Sequence, residues 1–153
     1  MNSIAILGAG TWGIALAKML KNTNKNVTVW SALPDEIEEL SKTSRHPKLP
    51  NVLIPKGIEY TTDIKLAVEN KDIIMFAVPS VFVRQTARKC KDYIKDNQII
   101  VDVAKGIEPD TLFTLTQVID DEIKNKTVKY VALSGPTHAE EVSRDMPTTI
   151  VSA

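Results

Sequence analysis

Short apolar runs rich in β-branched residues recur along the chain at 4–7, 27–30, 73–78, 99–103 and 128–133. Each has the length and composition of a strand buried on both faces. Between them, residues 11–20, 34–41, 80–93 and 110–124 carry apolar side chains at helical spacing, with charges on the opposite face. Regular alternation of this kind predicts an α/β fold: a doubly wound, mostly parallel sheet with crossover helices. Pro34, Asp35 and Glu36 suit a first helical turn, where a missing N–H costs nothing and the helix dipole favours negative charge. Pro109 and Asp110 predict a second helix start of the same kind. Residues 45–57, with Pro47, Pro50 and Pro55, read as a long surface connection that leaves His46 solvated and leads to a weaker strand near 58–61.

One turn in this pattern has chemistry of its own. Gly8-Ala9-Gly10-Thr11-Trp12-Gly13 matches G-x-G-x-x-G, placed after the first strand and at the start of the first helix. In that context Gly8 permits the tight turn, Gly10 lets backbone approach a pyrophosphate, and Gly13 lets the helix pack closely on the strand. The free N–H groups of Thr11, Trp12 and Gly13 then face an anion along the helix dipole. A dinucleotide-binding, Rossmann-like unit is the expectation. The acidic residue that takes the ribose 2′-hydroxyl in such units should fall near position 30, where the chain reads Trp30-Ser31-Ala32-Leu33. No carboxylate there repels a 2′-phosphate and no arginine attracts one. Ser31 can hydrogen-bond either form, so NAD and NADP both stand, and Trp30 fits adenine stacking and plain packing equally.

Length and composition narrow the picture further. At 153 residues the chain makes one domain with a substantial core, and 43% hydrophobic with 25% charged residues is ordinary globular composition. Nineteen basic residues balance nineteen acidic ones, which disfavours nucleic acid as a partner. Cys90 is the single cysteine, so an internal disulfide framework and a cysteine-based zinc cluster are excluded and no residue is assigned to a metal. Its expected state is a structural thiol, and the expected compartment is the reducing cytoplasm. The opening stretch lacks a positive n-region and its apolar run is broken by glycines, unlike a secretion signal. Residues 73–83 reach only about half a membrane span, so no membrane association is expected. Charge clusters at 88–91 and 120–126 read as solvated helix faces and ends.

Ligands in such sheets lie beyond the carboxyl ends of the strands. Three further segments leave strands at that edge: Val78-Pro79-Ser80, Lys105-Gly106-Ile107-Glu108, and 134–141 with Gly135, Thr137, His138 and Ala139. Lys105 follows its strand directly, which holds an ammonium at the mouth of the cleft. A cation there suits a phosphorylated or polarised carbonyl substrate. His138 has no carboxylate at a diagnostic spacing and is expected to be an ordinary loop histidine. Ser80 lacks His and Asp partners at triad spacing, which gives no case for a hydrolase.

Taken together, the block at 8–17, Val78-Pro79-Ser80 with Arg84, Lys105-Gly106-Ile107-Glu108 and the block at 133–142 resemble the bacterial NAD(P)-dependent glycerol-3-phosphate dehydrogenases. The resemblance runs over essentially the whole chain. It implies an oxidoreductase that interconverts dihydroxyacetone phosphate and sn-glycerol 3-phosphate with NAD or NADP, feeding glycerophospholipid synthesis. It assigns Gly8, Gly10, Thr11, Trp12, Gly13, Ser31, Pro79, Lys105 and Ala139 to the cofactor, and Lys105, Gly135 and Thr137 to the substrate. Three positions depart from the pattern: Ala32 replaces a common basic residue, Val81 a common histidine and His138 a common phenylalanine. Members carry their proton-donor lysine on a second, helical domain, so no catalytic residue is assigned within 1–153 and that lysine is expected beyond Ala153. The final run at 148–153 begins like a strand and stops at Ala153 without a following helix. The chain is therefore expected to be the cofactor-binding fragment of a longer enzyme, inactive alone, whose partners are its carboxy-terminal helical domain and a second copy in a homodimer. On the residues alone, another two-domain hydroxyacid dehydrogenase and a non-catalytic nucleotide-binding module remain open.

Overall fold

The computed structural model describes residues 2–124 and 126–153; Met1 of the expected 1–153 unit and Asn125 of the 120–126 charge cluster lie outside the described residues. The first apolar run forms β1 (Ser3–Leu7), followed by α1 (Thr11–Asn22), β2 (Asn26–Trp30) and α2 (Pro34–Thr43). Next come β3 (Glu59–Thr61), α3 (Ile64–Val68), β4 (Ile73–Phe76) and α4 (Ser80–Cys90), the last extended by a 3-10 turn at Lys91–Tyr93. The chain continues with β5 (Ile99–Asp102), α5 (Leu115–Glu122), β6 (Lys129–Ser134), α6 (Ala139–Ser143) and β7 (Val151–Ser152). Among the described residues these strands form one sheet in the order β3-β2-β1-β4-β5-β6-β7. All neighbours run parallel except β7, which pairs antiparallel with β6.

The centre of the sheet shows why its strands are apolar throughout. Along β1, Ala5 and Leu7 enter a core with Ile74 and Phe76, covered by Val68 of α3 and by Val83 and Ala87 of α4. The intervening Ile4 and Ile6 enter a second core with Val27, Val29 and Met75, covered by Ile14 and Ala17 of α1. Period-two alternation thus sends successive side chains of one strand into two separate hydrophobic layers. Strand order steps leftward from β1 to β3 and rightward from β4 onward. That reversal opens a crevice above β1 and β4, at the carboxyl edge of the sheet.

Several expectations need correction. The segment 45–57 is not simply a surface connection: Leu49, Val52 and Ile54 sit in the second core beside Leu40. His46 is buried rather than solvated, at 5% exposure, and its Nδ1 accepts the Lys48 N–H at 3.1 Å. Burial holds its imidazole below the ordinary histidine range. The helix expected from 110 begins at Leu115, because Thr114 and Gln117 form a reciprocal capping box. Pro109 and Asp110 instead lie in a loop closed by an antiparallel bridge between Ile107 and Thr114. The short helices α3 and α6 add to the expected set. Asp63 caps α3 by accepting the N–H groups of Lys65 and Leu66. The run at 148–153 forms only a two-residue strand, beyond which Ala153 donates its N–H to the Ala132 carbonyl at 3.1 Å and accepts the Ala132 N–H at 2.8 Å. This final pairing is antiparallel, so the run does not continue the parallel, doubly wound pattern. Cys90 is fully buried, and desolvation pushes its thiol up to about 12, as befits a structural cysteine.

Candidate functional site

The site begins where β1 ends. The Gly8 N–H donates to the Trp30 carbonyl at 2.9 Å, which ties the turn to β2. Gly8 adopts φ +124°, and a Cβ there would lie 2.7 Å from the Ala77 carbonyl group. A Cβ on Gly13 would collide with the Gly8 carbonyl oxygen, so α1 approaches the turn at a distance only glycine allows. Gly10 differs: a Cβ there would meet nothing within 4 Å. It faces open space at the helix N-cap, and no side chain caps the first-turn amides. Uncapped N–H groups at the positive end of a helix fit an anion. The indole Nε1 of Trp12 is also buried without a hydrogen-bond partner among the described residues.

A cleft of about 350 Å³ lies over this turn. Gly10, Thr11 and Trp12 form one wall, and Ala77, Val78 and Pro79 after β4 form the floor. The opposite wall is Val103, Ala104 and Lys105 after β5, with Thr137 and Ala139 beyond β6. The structure therefore brings Gly10, Thr11, Trp12, Pro79, Lys105, Thr137 and Ala139 to one cavity, with Gly8 and Gly13 shaping its base. Lys105 Nζ donates to the Gly135 carbonyl at 2.9 Å and lies 3.4 Å from the Thr137 carbonyl and 3.3 Å from its hydroxyl. Its ammonium is thereby tethered to the 135–137 loop at the solvent-exposed mouth of the cleft. An exposed His138 caps α6 by position only, without a side-chain hydrogen bond to the helix.

The loop bearing Lys105 is anchored by charges that local sequence did not reveal. Arg84 on α4 makes a two-pronged contact with Glu108, its Nε and Nη2 each 2.7 Å from a carboxylate oxygen. The same guanidinium reaches Asp121 at 2.7 Å and Glu122 at 2.9 Å on α5, and Arg88 shares Glu122. These charges are not simply solvated faces, since the Glu122 side chain is only 10% exposed. Arg84, with help from the Thr111 hydroxyl, lowers the Glu108 pKa to about 2. A carboxylate depressed in the fold stabilises it above the ordinary carboxylate range, and that contribution is lost as pH falls towards about 2. Thermal melts of the unaltered chain and of Arg84→Met should therefore differ clearly at pH 7 and converge between pH 5 and 2, roughly the window where the carboxylates take up protons. A gap that stays constant through acid would contradict a stabilising role for this network. Asp102, buried at 7% exposure, pins the exit of β5 by accepting the Ala104 N–H at 3.0 Å and the Thr116 hydroxyl at 3.2 Å. Burial raises its pKa.

Ser31 lies apart from this cleft, at the end of β2. Its hydroxyl donates to Glu36 Oε2 at 2.5 Å and accepts the Leu33 N–H at 3.2 Å. A carboxylate does therefore stand at this strand end, contrary to the expectation from residues 30–33, and it comes from the first turn of α2. Trp30 belongs to the core, 4% exposed, with its Nε1 donating to the Thr62 carbonyl at 3.0 Å, so packing and not adenine stacking accounts for it.

A family model described as the N-terminus of NAD-dependent glycerol-3-phosphate dehydrogenase matches residues 3–153. The chain belongs to that family. A glycerol-3-phosphate dehydrogenase (NAD(P)+) 2 of Lactobacillus delbrueckii subsp. bulgaricus is 62% identical over 157 residues, covering 100% of this chain and 47% of the relative. A glycerol-3-phosphate dehydrogenase (NAD(P)+) of Fusobacterium nucleatum is 50% identical, covering 99% and 45% respectively. The chain thus spans about half the length of the curated relatives it matches. The crystal structure of a glycerol-3-phosphate dehydrogenase from Coxiella burnetii superposes with a TM-score of 0.89 at 30% identity, over 97% of this chain and 46% of that one. Membership in the glycerol-3-phosphate dehydrogenase family agrees with the mostly parallel, doubly wound sheet.

Proposed function

We propose that this chain is the dinucleotide-binding part, residues 1–153, of an NAD(P)-dependent glycerol-3-phosphate dehydrogenase that interconverts dihydroxyacetone phosphate and sn-glycerol 3-phosphate. The observation that carries the reading is the meeting of the uncapped glycine turn and the tethered Lys105 ammonium in one cleft. A bound nicotinamide cofactor supplies the hydride. The first-turn amides of Thr11, Trp12 and Gly13 hold its diphosphate, while Gly8 and Gly13 keep the turn close to the sheet. Pro79 and Ala139 border the cofactor, and Ser31 acts at the ribose end. Lys105, Gly135 and Thr137 meet the substrate, with the Lys105 ammonium stabilising negative charge that gathers on the carbonyl oxygen. The proton donor is a lysine beyond Ala153, on a carboxy-terminal helical domain of the same enzyme. That domain is the chain's first partner, and a homodimer is the expected assembly.

The product suits glycerophospholipid synthesis, and the cytoplasm suits a chain whose lone thiol is buried and reduced. Among the described residues no helix is long and apolar enough to cross a membrane. Nucleic acid is not an expected partner for a chain of zero formal net charge.

Calorimetry with NADH and NADPH, alongside a dihydroxyacetone phosphate reduction assay, tests this division of labour. The chain should bind reduced cofactor yet turn over roughly 10²–10⁴-fold more slowly than a complete dehydrogenase, because it lacks the general acid. Failure to bind either cofactor contradicts the reading. Turnover in the ordinary enzymatic range of about 1–10³ per second contradicts the placement of the proton donor beyond Ala153.

A further inference from the structure

The end of β2 is built in a way that bears on which nicotinamide cofactor fits, given the dinucleotide-binding reading above. Pro34 occupies the first turn of α2, and Glu36 follows within that turn. Helical side chains lean back towards the N-terminus, which carries the Glu36 carboxylate over the strand end instead of along the helix. There Ser31, only 5% exposed, fixes it by donating its hydroxyl to Oε2 at 2.5 Å. Ser31 is itself fixed by the Leu33 N–H at 3.2 Å. The other carboxylate oxygen, Oε1, has no hydrogen-bond partner among the described residues, and Glu36 remains half-buried.

The strand end that carries this carboxylate is tied to the glycine turn. Trp30, one residue before Ser31, receives the Gly8 N–H. His46, on the segment that follows α2, feels the charges of both Glu36 and Glu39. The local field is negative. Helix α2 carries four carboxylates, Asp35, Glu36, Glu38 and Glu39, against a single lysine, Lys42, which is paired with Glu38. Arg45 and Lys48 on the following segment are exposed.

We propose that Glu36, held by Ser31, is the specificity-determining residue of the ribose subsite and selects a dinucleotide with a free 2′-hydroxyl over one with a 2′-phosphate. A hydroxyl can donate to the unpartnered carboxylate oxygen. A phosphate offers no donor and brings like charge against a fixed anion. The acidic residue that usually ends β2 is thus replaced in function by one from the helix that follows. Ser31 is its positioning residue and not itself the reader of the ribose.

Titration calorimetry of the 153-residue chain with NADH and NADPH tests this directly. The unaltered chain should bind NADH about 10–100-fold more tightly than NADPH, the discrimination expected of one hydrogen bond exchanged for one charge repulsion. Glu36→Gln should bring the two affinities within about threefold, chiefly by strengthening NADPH. Glu39→Gln, one turn further along the same helix, should leave the ratio unchanged; an equal shift there would assign the effect to diffuse charge and overturn the proposal. Equal or tighter NADPH binding by the unaltered chain would overturn it as well, while leaving the dinucleotide reading intact. Binding of neither cofactor would remove that reading and this inference with it.

Discussion

Gly13→Ala is expected to lower both fold stability and cofactor binding substantially, whereas Gly10→Ala, three residues away, should damage binding alone. A methyl group on Gly13 would run into the Gly8 carbonyl oxygen, and that oxygen belongs to backbone already fixed against Ala77. Neither strand nor helix can move aside cheaply, because Ile6 and Ile14 on either side of the turn are fully buried. A cost of about 3 kcal/mol is reasonable for overpacking of this kind, a large share of the roughly 5–15 kcal/mol that holds a domain together. At Gly10 a Cβ would meet nothing within 4 Å, and its φ of −66° suits any residue. Its melting temperature should barely move, since the added methyl changes stability by about 0.5 kcal/mol or less. The methyl would nevertheless stand where backbone must approach a diphosphate, so NADH affinity should fall by about tenfold or more. Thermal melts and calorimetry on the pair separate the two roles. A Gly13→Ala chain with an undiminished melting temperature, or a Gly10→Ala chain with undiminished affinity, would contradict the geometry.

The second large effect is expected at Lys105. In the complete enzyme containing this domain, Lys105→Ala should lower kcat by roughly 10²–10³-fold, the usual result of removing a preorganised donor from a developing oxyanion. The Kd for reduced cofactor should change far less. This asymmetry follows from the tether: Lys105 Nζ is held by the Gly135 carbonyl and Thr137, on the β6 side of the cleft, opposite the glycine turn. Steady-state kinetics combined with cofactor titration will show it. Equal losses in kcat and cofactor affinity would make Lys105 a cofactor ligand only.

Much of the framework is legible in the sequence because buried parallel strands leave a strong imprint. Residues 4–7 are apolar at every position since alternate side chains enter separate cores, and the glycine turn is recognisable because close backbone approach at Gly8 and Gly13 admits no other residue. Helix α3, at five residues, is too short to show a 3.6-residue period. Pro109 and Asp110 imitate a helix start, but the Thr114–Gln117 capping box provides reciprocal hydrogen bonds and wins. His46 misleads because Arg45, Pro47 and Lys48 make its neighbourhood polar, while the apolar residues that draw the segment inward, Leu49, Val52 and Ile54, follow no regular spacing. The pairing of Ala153 with Ala132 spans 21 positions, and nothing in the local composition of 148–153 distinguishes an antiparallel partner from a parallel one.

The site divides in the same way. Residues in the short segments that leave strands, such as Pro79 and Lys105, can be placed from topology alone. Arg84 and Glu108 are 24 positions apart on different elements, so their contact has no local signal. Glu36 does have one. Extending the search from the strand end into the first helical turn finds a carboxylate five residues after Ser31.

The proposed function requires a diphosphate held by the first turn of α1 while the ammonium of Lys105 faces it across the cleft. Amide chemical shifts of the isotopically labelled chain, followed during titration with NADH, test this most directly. The largest changes should fall on Gly10, Thr11, Trp12 and Gly13, with smaller ones at 78–80, 104–106 and 137–139. Saturable shifts confined to another surface, with the glycine turn unmoved, would contradict it.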